Sequence, residues 1–311
     1  MLSGEKILIT GPAGKIAWHV TRKLARDNEV WGIARFSDPA QRAEIEAMGV
    51  TTRQVDLYDC DLTDIPRDFT YLVHIAINFE NGSYDRAIRT NAESCGFLLE
   101  HCRKAKAALV MSTLSVYKPH PDPWHAFSED DPLGDIMQPI PASYSISKNC
   151  EEAVARFCAR AFNLPVTIAR MGSAYGPRGG LPISHLEALL AGRLIEPRWD
   201  PLPYSPIHGD DIADMIAPLL AAASVPATIV NFCGDEAVSV QQWIAYMAGL
   251  VGVTPKVVTK PVPGASVGSV GDIGKRLGIT GPCRVSWRDG LRRAIEERHP
   301  GVVLNQQGAV P

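Results

Sequence analysis

Tyr144 and Lys148 stand four residues apart in the run Tyr144-Ser145-Ile146-Ser147-Lys148, a spacing that sets two side chains on one face of a helix. Such a pair can do acid–base work on an oxygen. A free phenol has a pKa near ~10 and transfers protons poorly at neutral pH. An ammonium about 4 Å away contributes ~4 kcal/mol at an effective dielectric of ~20, enough to bring the phenol toward a working value. Thr113 closes the apolar run Leu109-Val110-Met111-Ser112-Thr113, and a hydroxyl at a strand's carboxyl end stands where a substrate oxygen can be held. Ser112 and Ser115 offer the same group, and all three serve an ordinary turn equally well.

A second group of residues suits a phosphate. Ile7-Leu8-Ile9-Thr10-Gly11-Pro12-Ala13-Gly14-Lys15-Ile16-Ala17 reads as an apolar strand, a glycine turn and a helix start. Gly11 permits the tight turn, Gly14 lets the backbone approach a pyrophosphate, and the helix start presents amide donors. Gly11, Ala13, Gly14, Lys15 and Ile16 are therefore candidate cofactor contacts. At the end of the second strand, Ala34 stands where NAD-binding proteins of this kind commonly carry an acid, and Arg35 follows. A guanidinium pairs well with a 2′-phosphate, so the expected cofactor is NADP, with NAD as the alternative.

These groups need a scaffold that brings strand ends together. Strands are expected at 6–10, 29–34, 51–55, 71–75, 108–112 and 166–170, with helices at 15–26, 86–104 and 144–161 between most of them. In the first helix Ile16, Val20 and Leu24 form one apolar face. Alternating strands and helices imply an α/β fold: a doubly wound parallel sheet of Rossmann type, binding ligands beyond the carboxyl ends of its strands. Residues 1–170 would form the dinucleotide-binding domain, with segments near 205–235 returning to it. Residues 171–311 would mainly form a smaller C-terminal substrate-binding lobe, with helices at 210–223, 238–250 and 286–298.

In order along the chain stand Thr10-Gly11-x-x-Gly14-x-x-Ala17, Asp56-Leu57, His74-Ile75-Ala76, Asn91, and Ser112-Thr113-x-x-Val116-Tyr117. Then come Tyr144-x-x-x-Lys148, Arg170-x-x-x-x-Tyr175-Gly176-Pro177 and His208-x-x-Asp211-Ile212-Ala213. Over roughly residues 6–235 the sequence resembles the extended short-chain dehydrogenase/reductases, the NAD(P)-dependent epimerase/dehydratase group. The resemblance implies that Tyr144 is the acid–base group and that Lys148 lowers its pKa and binds the nicotinamide ribose. Thr113 would orient the substrate oxygen. It also implies that Asp56 and Leu57 flank the adenine, that Ala76 lines the cofactor path, that His74 is structural and that Asp211 caps its helix.

Two departures bear on the reaction. Leu114-Ser115 stand where family dehydratases carry an Asp-Glu pair, and Ser173 stands where many nucleotide-sugar members carry Asn. The expected activity is therefore an NADP-dependent interconversion of a carbonyl and a secondary alcohol on a small molecule. A nucleotide-sugar epimerase with retained NAD(P) is the alternative, and a non-catalytic dinucleotide sensor is a third reading. Candidate substrate contacts are Asn78, Ser115, Ser173, Tyr175 and Tyr204. Arg178, Arg193 and Arg198 would supply charge to a nucleotide diphosphate. Residues 119–141, with His120, Trp124 and His125, form either a lid or a packed loop.

Composition narrows the partners. Charged residues make up 21% and the formal net charge is −3, which implies no basic face for nucleic acid. Seven cysteines without a Cys-x-x-Cys pair suit reduced thiols in a cytoplasm, with no metal site. The sequence shows no signal peptide and no apolar stretch of membrane-spanning length. A cytoplasmic chain, a small-molecule substrate and a homodimer are the corresponding expectations.

Overall fold

The computed structural model describes residues 2–78, 83–135 and 142–305. Seven parallel strands form the central sheet: β1 (Lys6–Thr10), β2 (Glu29–Ala34), β3 (Thr51–Gln54), β4 (Tyr71–His74), β5 (Ala107–Thr113), β6 (Val166–Met171) and β7 (Thr228–Phe232). Their spatial order is β7-β6-β5-β4-β1-β2-β3. The chain starts in mid-sheet and winds outward in both directions, so the order reverses beside β1. In a doubly wound sheet a crevice opens at that point. The six expected strands appear within a residue or two of their expected ends. β7 lies in a stretch with no strand expected.

The strands are apolar because both faces of the sheet are covered. Ile7, Leu8 and Ile9 are fully buried, as is most of β5. One face carries α1 (Ala17–Leu24) and α7 (Gly209–Ala221), where Val20 and Leu24 meet Ile212, Ile216 and Leu219. The other carries α4 (Ser94–His101) and α5 (Tyr144–Phe162), through Leu98, Leu99, Ala155 and Ala159. The helix expected at 86–104 is divided: α3 (Tyr84–Ile88) leads through a π-helical turn, Arg89–Glu93, into α4. Asn91 lies in that turn, accepts a hydrogen bond from Asn78 N at 2.9 Å and donates to Ser147 Oγ at 3.1 Å. It thereby ties the strand-end loop to α5.

A second cluster forms around Trp243, Met247 and Leu291, packing α6 (Leu181–Leu190), α8 (Val240–Val251) and α10 (Trp287–Arg298). The described part of the segment expected as lid or loop, residues 119–135, is tied down at Phe127 and Glu129, while Trp124 and Leu133 are exposed. Ala126–Phe127 pairs in parallel with Val270–Gly271, and Glu129 Oε1 accepts Asn231 N at 2.8 Å. The His120 and His125 rings stack 3.9 Å apart. The remainder of that expectation, 136–141, lies outside the described residues. Among the described residues no helix is long and apolar enough to cross a membrane, and all seven cysteines are free thiols.

Candidate active site

A cleft of about 720 Å³ runs along the carboxyl ends of the strands. Its floor is the glycine turn. Gly11 has φ +64, and its amide bonds Ile33 O at 2.8 Å, which fastens the turn to β2. A Cβ at Gly11 would meet Ala76 Cβ at 3.1 Å, so conformation and space both require glycine. Ala13, Gly14, Lys15 and Ile16 line the same floor. α1 has no acidic residue in its first turn and no side-chain cap, so no such side chain competes with an anion at its start. This arrangement fits a dinucleotide pyrophosphate.

Arg35, Asp56 and Leu57 line one end of the cleft together with Phe36, Ser37, Asp38 and Gln41. Those last four were not singled out in the sequence. The sequence signals the short helix that carries Gln41: Asp38 caps Pro39–Glu46 by accepting Ala40 N at 2.9 Å, and Pro39 opens it. Asp56 Oδ1 accepts Tyr58 N at 2.9 Å, which holds the loop after β3.

Thr113, Tyr144 and Lys148 meet at mid-cleft. Thr113 ends β5 in extended conformation and accepts Ser115 N at 3.2 Å. Tyr144 opens α5, and the Thr113 side chain hydrogen-bonds the Tyr144 phenol. Lys148 Nζ donates to Met111 O at 2.8 Å and lies 2.6 Å from Glu151 Oε2. Burial pushes the Tyr144 phenol above its ordinary value, while Lys148 and Thr113 pull it down. Burial outweighs both, so the phenol is raised overall rather than lowered as the pair alone would have it. Burial also works against the charge of Lys148, yet Glu151 and Tyr144 leave it raised.

The centre is braced from below. Arg170, 1% exposed, donates to both oxygens of Glu152 at 2.9 and 2.8 Å, to Tyr117 OH at 2.9 Å and to Glu129 O at 3.1 Å. Ser112 Oγ donates to Glu152 at 2.6 Å. This network clamps the ends of β5 and β6 to α5, and so fixes Thr113 against Tyr144.

Asn78 and Ser173 line the cleft, the latter with Gly172, Ala174, Leu181 and Ser184. The other three substrate candidates do not line it. Tyr175 is 3% exposed and donates to Trp287 O at 3.3 Å within the cluster around Trp243. Tyr204 packs against Trp243 with ring centroids 5.7 Å apart. Ser115 presents its carbonyl to the Ser145 hydroxyl and anchors α5. Nor do the candidate arginines line the cleft. Arg178 is held by Glu44 at 2.9 and 3.1 Å, Arg198 donates to Ser266 O, and Arg193 is exposed. Asp211 is a further correction: it accepts Arg284 N and Val285 N at 2.8 and 3.2 Å, while His208 caps α7. An aspartate near a helix start reads as a cap in sequence, and only the fold reveals a distant pair of amides.

Known proteins resemble this chain in sequence and in fold. An Arabidopsis thaliana UDP-glucuronate 4-epimerase 2 is 30% identical over 201 residues, covering 57% of this chain and 44% of that protein. An uncharacterised 37.6 kDa protein of Escherichia coli O111:H- is 25% identical over 289 residues, covering 81% of this chain and 85% of that protein. Two solved structures share the fold. One is a UDP-glucuronic acid 4-epimerase from Bacillus cereus in complex with UDP-glucuronic acid and NAD, with TM-score 0.83, 22% identity, and 95% and 99% of the two chains covered. The other is a UDP-glucose 4-epimerase from Thermotoga maritima with UDP-glucose, with TM-score 0.82, 21% identity and the same coverages. The sequence profile of the NAD dependent epimerase/dehydratase family matches residues 7–231, a span that holds the glycine turn, Thr113, Tyr144 and Lys148, and the chain belongs to that family.

Proposed function

We propose that this chain is an NAD-dependent epimerase acting at C4 of a UDP-linked sugar. The carrying observation is the single cleft that joins the glycine turn, the Thr113–Tyr144–Lys148 centre and a second-lobe pocket. A dinucleotide at the glycine turn and a sugar beside Ser173 would then both reach Tyr144. Relatives such as the Arabidopsis thaliana protein are named UDP-glucuronate 4-epimerases, and similar epimerase structures carry NAD. That supports this reading over the NADP-dependent reductase expected from sequence, and NAD over NADP.

A bound nicotinamide would reversibly accept a hydride from the sugar carbon. The chain's own part is the proton. Tyr144 takes it from the sugar hydroxyl as the carbonyl forms and returns it when the alcohol is restored. Thr113 fixes the reacting oxygen near the phenol. Lys148, held by Met111 O and Glu151, supports the phenolate and stands ready for the ribose. With Leu114 and Ser115 in place of a dehydratase's acids, elimination of water has no acid–base pair beside Thr113.

One observation favours a second reading, reduction of a simple carbonyl: Ser173 stands in the Asn position, and none of Arg178, Arg193 and Arg198 is among the residues lining the cleft. The two separate by redox balance. Protein purified without added cofactor should release close to one NAD per chain on denaturation. It should convert a UDP-hexose or UDP-hexuronate with no accumulation of NADH. Cofactor-free protein that consumes NADPH with ketones and ignores UDP-sugars would establish the reductase instead.

A further inference from the structure

Behind Lys148, away from the cleft, stands a carboxylate that the proposed reaction does not use. Glu151 is fully buried, and its Oε2 lies 2.6 Å from the Lys148 ammonium. Its Oε1 lies 3.4 Å from His74 Nε2. His74 Nδ1 is 2.8 Å from Thr10 Oγ1, which also accepts the amides of Ile75 and Ala76 at 3.0 and 2.9 Å. With both lone pairs of that hydroxyl taken, its proton goes to Nδ1, and the proton of the neutral ring is then on Nε2, facing Glu151. His74 stays neutral, because burial and then Lys148 push it down to about 3.

The surroundings of Glu151 are few and named. On α5 they are Lys148 and Glu152, with Tyr144 one turn beyond Lys148; on β4, His74; on α4, Cys95. Glu152 is occupied by Arg170. His74, Cys95 and Glu151 bring ligand atoms within 4.8 Å of one another, but the ammonium already on the carboxylate would repel a metal ion. A buried carboxylate beside a catalytic ammonium has a different consequence. It holds the ammonium in place and cancels part of its field.

We propose that Glu151 is a positioning residue that sets the acidity of Tyr144 by holding Lys148 on Met111 O and opposing its charge. The inference rests on the acid–base role of Tyr144 in the proposed function, but not on the identity of the substrate. Burial raises the Glu151 carboxyl to about 7 against the pull of Lys148, so its charge varies where the enzyme would work. With Glu151 ionised, Tyr144 holds its proton more tightly; with Glu151 neutral, the unopposed ammonium draws Tyr144 toward the phenolate.

The test is Glu151→Gln, which keeps the shape and removes the charge. Ionisation of Tyr144 is read as the ultraviolet difference between each protein and its Tyr144→Phe counterpart across pH, with the fold followed by near-ultraviolet circular dichroism. The midpoint should fall by about one unit, the lower end of the shift a neighbouring charge produces. The acid limb of kcat for the sugar reaction should move the same way. A structural role alone would lower the urea midpoint and leave the phenol unmoved. Should Glu151→Gln fail to fold, the shape-matched pair Glu151→Asp and Glu151→Asn repeats the comparison, with the lower midpoint expected for Asn. Equal midpoints in folded proteins overturn the proposal. The phenol titration needs no substrate, so failure of the epimerase reading would leave it intact and would appear instead as absent turnover.

Discussion

Replacing Glu152 by Gln tests the clamp beneath the reacting centre. Arg170 makes four hydrogen bonds in the interior, two of them to the Glu152 carboxylate at 2.9 and 2.8 Å. Gln offers one acceptor oxygen and an amide NH2, and the NH2 would face N–H groups of the guanidinium. The guanidinium, 1% exposed, would keep its charge with no counter-charge. Removing one partner of a buried ion pair costs about 3–5 kcal/mol, against a total stability of about 5–15 kcal/mol. Urea unfolding followed by circular dichroism, with an unchanged m-value, reads this directly. The double variant Glu152→Leu/Arg170→Met replaces the pair by apolar groups and should recover at least about 2 kcal/mol of the loss, because the penalty lies in the orphaned charge. A single-variant cost below about 1 kcal/mol, or a double variant worse than the single, would refute the reasoning.

Tyr144→Phe should lower turnover at least ~100-fold, the usual scale of acid–base catalysis, and leave NAD affinity nearly unchanged; near-normal turnover would remove Tyr144 from the mechanism. Arg35→Ala should weaken NADP about ten- to a hundredfold, as expected for loss of a charged hydrogen bond, and barely affect NAD; equal effects on both cofactors would place the guanidinium away from the 2′ position. Stability should fall as pH drops from about 6.5 toward 4: burial lowers His185 and His208 to about 4 and His74 to about 3, so below the unfolded value only the unfolded chain gains these protons. Glu151, raised to about 7, opposes this above about 4.5, one group against three, and a urea midpoint higher at pH 5 than at pH 7 would contradict the balance.

The strands were legible because a sheet buried on both faces demands continuous apolar runs, as in Ile7-Leu8-Ile9 and Leu109-Val110-Met111. The glycine turn and the Tyr144–Lys148 spacing were legible because both depend on local geometry. The buried stripe of α5 was not. It runs Lys148, Glu151, Glu152, Ala155 and Ala159, and its charges read as solvent-facing until Met111, His74 and Arg170 are brought to them by other strands. Tyr175 and Tyr204 failed as substrate contacts for the converse reason: an aromatic beside a loop suits a pocket and a core alike, and the choice is made by Trp287 and Trp243 from distant helices. The division of the helix after residue 83 has no apolar periodicity behind it and follows from Asn91 reaching Asn78 and Ser147.

The central claim is that hydride leaves and returns to one sugar carbon while Tyr144 carries the proton. Proton nuclear magnetic resonance of UDP-hexoses and UDP-hexuronates incubated with the protein and NAD in D2O tests it most directly. The account predicts a C4 epimer that keeps protium at C4, with no net NADH and with its formation slowed at least ~100-fold in the Tyr144→Phe variant. Deuterium at C4, stoichiometric NADH, or no epimer from any of these sugars would contradict it.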